Sequence, residues 1–275
     1  MDGQQYVVRK AVAEDMAAIC ALLARSGLSS AHRQSLEFYR TAPGSRVFAA
    51  RSGDQLAGTA TSVSFGRSGW LGSVAVDQSW RGQGLGTAVS KAAVDYLLEA
   101  GVETVLLTAT DLGRPVYDRL GFIDEGIAYG IWERDRPQPP DGQSAGAVRR
   151  GRIEDAAAYD AKATGEDRRE FLQVFADWVR VPSGPEQSGY RIALPWGGGP
   201  VIATTPASAQ ALVTDMVTTT LATRLAFPES NTHGAELAAA LGFSLARRVS
   251  RMRLGPPVAG YRPEMVYNVW GLAVG

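Results

Sequence analysis

Val74-Ala75-Val76-Asp77-Gln78-Ser79-Trp80-Arg81-Gly82-Gln83-Gly84-Leu85-Gly86 is the stretch on which the fold turns. It reads as the end of an apolar strand (Trp70 to Val76), then a polar turn, then a glycine-rich corner. Thr87 to Ala100 follows as a predicted helix. Ala88, Val89, Ala92, Ala93, Tyr96 and Leu97 share one face, and Gly101 stands at its C-terminal stop. Gly82, Gly84 and Gly86 leave backbone N–H groups uncovered where a helix begins, and the first N–H groups of a helix have no partner within it. The helix dipole adds partial positive charge there and Arg81 a full charge, so the corner suits a phosphate or pyrophosphate. It does not fit the dinucleotide fingerprint, whose third glycine falls one residue later. Nor does it fit the P-loop, which needs G-K-[ST] where this chain has Gly86-Thr87-Ala88.

Working outward, Val7 to Arg9 predicts a strand, and Glu14 to Arg25 a helix with Met16, Ile19, Leu22 and Leu23 on its apolar face. Ala31 to Tyr39 predicts a weaker helix. Arg46 to Ala50 and Leu56 to Val63 alternate as strands about Ser52-Gly53-Asp54. Thr104 to Ala109 is a further strand, and Arg114 to Arg119 a short helix stopped by Gly121. Arg136 to Ala147 (RPQPPDGQSAGA) has the composition of a linker. Beyond it the pattern repeats. Val8-Arg9-Lys10-Ala11-Val12-Ala13-Glu14-Asp15 matches Val148-Arg149-Arg150-Gly151-Arg152-Ile153-Glu154-Asp155, and Leu120-Gly121-Phe122 matches Leu241-Gly242-Phe243 in the same order. The expected architecture is α/β, with two tandem copies of one mixed, twisted sheet flanked by helices. The first copy spans 1–135, the linker 136–147 and the second copy 148–275.

Arg81-x-x-Gly84-x-Gly86 after a strand ending Val-Ala-Val resembles the acyl-CoA-binding segment of the GNAT acetyltransferases. A second landmark lies at the expected distance: Val116-Tyr117-Asp118-Arg119-Leu120-Gly121-Phe122 resembles that family's L-Y-x-x-L-G-F. The resemblance covers Tyr6 to Glu133 closely and the rest in degraded form. Length and layout also resemble a bacterial subgroup of two-GNAT proteins. It implies an N-acetyltransferase that uses acetyl-CoA as cosubstrate, no metal, and a primary amine of a small molecule or peptide as acceptor. It further implies that Val74, Ala75 and Val76 meet the pantetheine arm, and that Arg81, Gly82, Gln83, Gly84, Leu85, Gly86 and Thr87 hold the pyrophosphate. Thr110 stands where the family often has Asn. Tyr117 matches the general acid that protonates the departing thiolate, against the plainer reading of a half-buried aromatic. Glu37, Tyr39 and Trp70 fall on elements bordering the family's acceptor site, as does His32. No residue presents itself as a base, so direct attack by the amine with water taking the proton is expected. The competing reading is a non-catalytic acyl-CoA-binding or scaffold protein with the same fold.

In the second copy, Ile202-Ala203-Thr204-Thr205-Pro206-Ala207-Ser208-Ala209-Gln210 replaces the glycine corner, and Ala238 replaces Tyr117. That copy is expected not to bind CoA. Val266 to Val274 (VYNVWGLAV) is apolar enough to be a strand completing the first domain, with Trp270 closing its acceptor pocket. Its alternative is the last strand of the second domain. His233 reads as a turn residue, and no metal site is indicated.

Of the 275 residues, 45% are apolar and 20% charged, the formal net charge is zero, and no Lys/Arg-rich run stands out. Those values argue for a soluble globular protein and against a nucleic-acid surface. No apolar run reaches the ~20 residues of a membrane helix and no leader is visible, so the cytoplasm is the expected location. Cys20 is the single cysteine, expected in the core.

Overall fold

The structure, a computed structural model, describes residues 6–28, 33–136, 147–184 and 188–275. His32 and nearly all of the linker expected at Arg136 to Ala147 lie outside the described residues. The first repeat runs β1 (Val7–Lys10), α1 (Met16–Arg25), α2 (Arg33–Thr41), β2 (Ser45–Ser52), β3 (Gln55–Phe65), β4 (Ser68–Val76), α3 (Leu85–Glu99), β5 (Thr104–Ala109), α4 (Arg114–Arg119) and β6 (Ile123–Glu133). The second runs β7 (Val148–Arg150), α5 (Ile153–Thr164), α6 (Arg169–Gln173), β8 (Val179–Pro182), β9 (Gly189–Ile192) and β10 (Val201–Ala203). It continues with α7 (Pro206–Thr220), β11 (Arg224–Pro228), α8 (Thr232–Ala240), β12 (Ser244–Leu254) and β13 (Val266–Asn268).

Two compact units result. The first comprises Met1–Ile123 and Met252–Pro256 with Val274; the second comprises Asp124–Arg251 and Pro257–Ala273 with Gly275. In the first, the sheet order is β1-β2-β3-β4-β5, followed by the end of β12. The pairs from β1 to β4 are antiparallel, and β4–β5 is parallel. α3 covers one face through Val89, Ala93 and Leu97, which are buried against Phe48, Leu71, Val105 and Leu107. α1 fills another cluster with Met16, Ile19, Leu22 and Leu23, all 1% exposed or less. Their three-and-four spacing puts them on one stripe, the usual reason a short helix is stable on a sheet. Cys20 lies beside that stripe, half-buried.

In the second unit, β12, β6 and β11 are neighbours, and β13-β10-β9-β8-β7 form a five-stranded sheet. The repeat is visible in detail. α3 and α7 are both 15 residues long, and β6 and β12 are both 11. Each copy ends its short helix on a left-handed glycine, Gly121 at φ +86° and Gly242 at φ +79°. The Phe122 N–H donates to Tyr117 O and the Phe243 N–H to Ala238 O, both at 3.0 Å.

Two expectations are corrected. The first unit ends at Ile123 rather than near 135, because β6 pairs with β11 of the second unit over Tyr129 to Glu133. The tail does not complete the first sheet. Val266 to Asn268 pairs with β10, and Trp270 packs on Phe171 and Phe175 of the second unit, with ring centroids 5.0 and 4.9 Å away. The strand that does join the first sheet is the end of β12.

Candidate functional site

The first unit opens between β4 and β5. Their parallel pairing runs from Ser68↔Thr104 to Trp70↔Leu106 and goes no further, although each strand continues. A register shift lies just beyond, where Ser73 and Val74 together oppose Ala60 between Thr61↔Gly72 and Thr59↔Ala75. Ser73 sits at φ +48°, a left-handed conformation that costs a non-glycine residue about 1 kcal/mol or more. Such a bulge bends its strand and re-aims the residues after it. The Asp77 N–H donates to Ala57 O at 2.9 Å, so Gly58 and Val76 face each other as a non-hydrogen-bonded pair. The N–H and C=O of Val76 therefore point away from β3, toward the side that β5 has left. Ala75 has the opposite phase. It is paired with Thr59 and buried, so its backbone is not presented to that gap.

After β4, the chain is pinned at two points. Asp77 caps the turn by accepting the Ser79 N–H at 3.2 Å and the Ser79 hydroxyl at 2.8 Å. Trp80 is 1% exposed, edge-on to Tyr6, and Leu85 is equally buried. Between these anchors Arg81 to Gly84 are exposed. Gly82 and Gly84 have φ of +75° and +78°, and among the described residues no atom beyond the adjoining residues lies within 4 Å of where a Cβ would stand on either. Glycine is required there by backbone conformation, and a side chain would occupy the open space above the turn. Gly86 differs. It lies within α3, and its Cβ position is 3.6 Å from Val76 and Val116, an ordinary contact. Gly84 is the N-cap of α3 and supplies no side-chain cap. Ala88 is the first residue to bond back, to Gly84 O at 3.0 Å. Among the described residues, the N–H groups of Gly82 to Thr87 have no hydrogen-bond partner. Orphan donors at a glycine-lined helix start fit a pyrophosphate. The Arg81 Nε donates to Val76 O at 3.2 Å, which occupies that carbonyl and leaves the Val76 N–H.

Tyr117, on α4, is 8% exposed, with its ring edge-on to Phe122 at 6.0 Å. Burial pushes its hydroxyl up to about 12. That hydroxyl has no protein partner among the described residues, yet it is not among the sealed, unpartnered atoms. Thr110 is exposed and starts the α4 turn, its Oγ1 accepting the Gly113 N–H at 3.2 Å.

Each of the four residues expected at an acceptor site has surroundings of its own. Trp70 is 1% exposed, on a strand paired on both sides, and so belongs to the interior. Glu37 is paired with Arg40 at 2.8 Å, and Tyr39 packs edge-on to Phe38 at 5.4 Å. Trp270 lies in the second unit. Cys20 is half-buried on α1, and burial raises its thiol.

The corresponding region of the second unit is closed. α7 begins with Pro206, and the Thr205 side chain accepts the Ser208 N–H at 3.3 Å, so that helix carries its own cap. The gap between β10 and β11 is filled by the chain itself. β13 pairs with β10, and the Val269 N–H donates to Ala226 O at 2.9 Å. Asn268 completes the join, its Oδ1 accepting the Ala226 N–H at 2.8 Å and its Nδ2 donating to Gly199 O at 2.7 Å. The apolar run of the tail does not by itself name this gap as its place. Asn268, a buried amide between apolar neighbours, was the available signal. His233 lies in the first turn of α8 with Nδ1 3.1 Å from the Tyr267 hydroxyl. Among the described residues no acidic, His or Cys cluster could hold a metal, and no helix is long and apolar enough to cross a membrane.

Comparison with known proteins agrees with these observations. A model of the acetyltransferase (GNAT) family matches residues 16–122, and one of the acetyltransferase (GNAT) domain matches 156–267. The chain is 36% identical over 67 residues to a rice (Oryza sativa subsp. japonica) protein named "Probable glucosamine 6-phosphate N-acetyltransferase 2". That stretch is 24% of this chain and 40% of the rice protein's length. Among solved structures, a Pyrococcus horikoshii protein described as an acetyltransferase superposes with a TM-score of 0.83 at 21% identity, covering 100% of this chain and 97% of its own. A GCN5-related N-acetyltransferase from Sphaerobacter thermophilus gives 0.62 at 16% identity, covering 90% and 95%.

Proposed function

We propose that this chain, which belongs to the GNAT acetyltransferase superfamily through the two domain matches that together span most of it, transfers an acetyl group from acetyl-CoA to a primary amine in its first unit alone. The observation that carries this reading is the meeting of three features. An uncapped, glycine-lined helix start lies at the end of β4, β4 has parted from β5, and Tyr117 stands on the helix that follows β5.

Each part has a task. The orphan N–H groups of Gly82 to Thr87, with the charge of Arg81, bind the pyrophosphate. The backbone of Val74 and Val76 receives the pantetheine arm, and the Val76 N–H donates to the thioester carbonyl as negative charge develops on its oxygen. The amine nitrogen forms a bond to that carbon and the carbon–sulfur bond breaks. The Tyr117 hydroxyl gives its proton to the departing sulfur. Its raised pKa keeps that proton in place at neutral pH, and its access to solvent lets the proton be replaced. Water removes the proton lost by the amine.

The second unit supports a structural role. Its helix start is capped by Thr205, and β13 lies where an acyl carrier would enter. The rice protein's name makes an amino-sugar phosphate the first acceptor to try. The test is release of free CoA from acetyl-CoA across a panel of primary amines that includes glucosamine 6-phosphate, with Tyr117→Phe as control. Amine-dependent release that fails in the control supports transfer. Binding of acetyl-CoA without release under any amine would favour the non-catalytic reading.

A further inference from the structure

The first unit contains a strand end that comes from the far side of the second repeat. Met252 to Pro256 belong to it, and β12 lies next to β5. Met252 is 0% exposed and shares one apolar cluster with Tyr117, Phe122, Leu107 and Ala109, while Leu254 packs against the same cluster. Leu254 Cδ1 is 3.6 Å from the Cβ position of Gly121. Gly121 is the left-handed residue that closes α4, and the turn it makes folds back on Tyr117. The Tyr117 carbonyl accepts the N–H groups of Leu120 and Phe122, both at 3.0 Å. Two ties fix the segment beyond the strand. Thr104 Oγ1 donates to Pro256 O at 2.7 Å. Gly255, at φ +102°, leaves only 2.1 Å between its Cβ position and Glu103 O, so no other residue fits without movement.

Resting on the reading of Tyr117 as the acid, we infer that Met252 and Leu254 are positioning residues for Tyr117. The second repeat thus serves the first unit's chemistry by supplying them. A buried ring takes its position from the side chains packed around it, because protein interiors leave few voids for it to shift into. Leu254 sets the turn behind Tyr117, and Met252 fills the cluster beneath it. Neither touches the reacting atoms. Their removal displaces the hydroxyl without touching the pyrophosphate corner, which is built from Arg81 to Thr87.

The test uses the full chain with ring-labelled tyrosine, and identifies the Tyr117 signal by its loss in Tyr117→Phe. We expect that signal to move in Met252→Ala and in Leu254→Ala and to return to its place in Met252→Leu. In parallel, kcat should fall on the order of tenfold in the two alanine variants, since small misplacements of catalytic groups are costly. The KM for acetyl-CoA should stay within about twofold, and Met252→Leu should restore turnover. A Tyr117 signal unmoved in both folded alanine variants overturns the inference, whatever the turnover. A moved signal in a protein that transfers no acetyl group supports the positioning and counts against the acid role alone. Should the alanine variants fail to fold, the wild type carries the test. A nuclear Overhauser contact between the Met252 methyl and the ring of Tyr117 or Phe122 supports the inference, and its absence overturns it.

Discussion

Arg81 reaches back five residues to donate its Nε–H to the carbonyl of Val76, at 3.2 Å. The contact joins the last residue of the parted strand to the first residue of the glycine corner. It makes Arg81 a clasp on β4, beside the phosphate charge proposed for it. Arg81→Lys keeps the charge and loses the planar donor. We expect acetyl-CoA affinity to fall about tenfold in Arg81→Lys and further in Arg81→Gln, with only Arg81→Gln also losing much of the salt dependence. Titrations at two ionic strengths check this.

Gly84→Ala is expected to weaken acetyl-CoA binding at least tenfold and to cost about 1 kcal/mol of stability. The stability cost comes from forcing an alanine to φ +78°. Gly86→Ala, whose added methyl meets only Val76 and Val116 at ordinary distance, should leave both nearly unchanged. Thermal melts and calorimetry on the two variants separate backbone strain from loss of the cradle.

Tyr117→Phe is expected to lower kcat by about 10²-fold or more. It should barely alter stability below pH 10, because the hydroxyl has no protein partner among the described residues. The alkaline side supplies a second readout. A hydroxyl raised by burial to about 12 contributes stability that is fully present below its ordinary value near 10 and is lost as pH rises through 12. The wild type should therefore lose more stability than Tyr117→Phe between those values.

Asp15 is 2% exposed and accepts from Arg9 at 2.6 Å, Arg51 at 2.9 Å and the Val12 N–H at 2.9 Å. Burial alone would raise its carboxyl, but these donors and the Arg9 charge hold it below the ordinary range. The stability it supplies is present above that range and is lost as pH falls through the lowered value. Asp15→Asn should cost about 2 kcal/mol at pH 7 and make the acid side of the stability curve shallower. Urea melts from pH 7 down to pH 3 test both points.

Asn268→Ala removes two buried hydrogen bonds, to Ala226 and Gly199, and should destabilise the protein by about 2 kcal/mol. Acetyl-CoA binding should stay at its wild-type stoichiometry. Appearance of a second binding site would mean that the tail is a removable plug.

Much of this is legible in the sequence. The strand Thr104–Ala109 and the helix Arg114–Arg119 fall where apolar runs and Gly121 placed them. α3 starts at Leu85, two residues before the apolar periodicity becomes clear, because Leu85 is an anchor beneath the turn. The glycine corner was readable because left-handed conformations and bare N–H groups are local properties. What escaped was non-local. Nothing in Ser244 to Leu254, with its four arginines, marks Met252 as a core residue of the other unit. Likewise the apolar tail around Trp270 announces that it is buried without saying against what. Strand partners are chosen by packing across the whole sheet, and the alternation of one strand does not name them.

The most direct measurement is a calorimetric titration of the full chain with acetyl-CoA, beside Gly84→Trp. We expect one site per chain in the wild type and none in the variant, whose indole would fill the open space above the turn. No binding, two sites, or binding indifferent to Gly84→Trp would contradict a single acyl-CoA site at the start of α3.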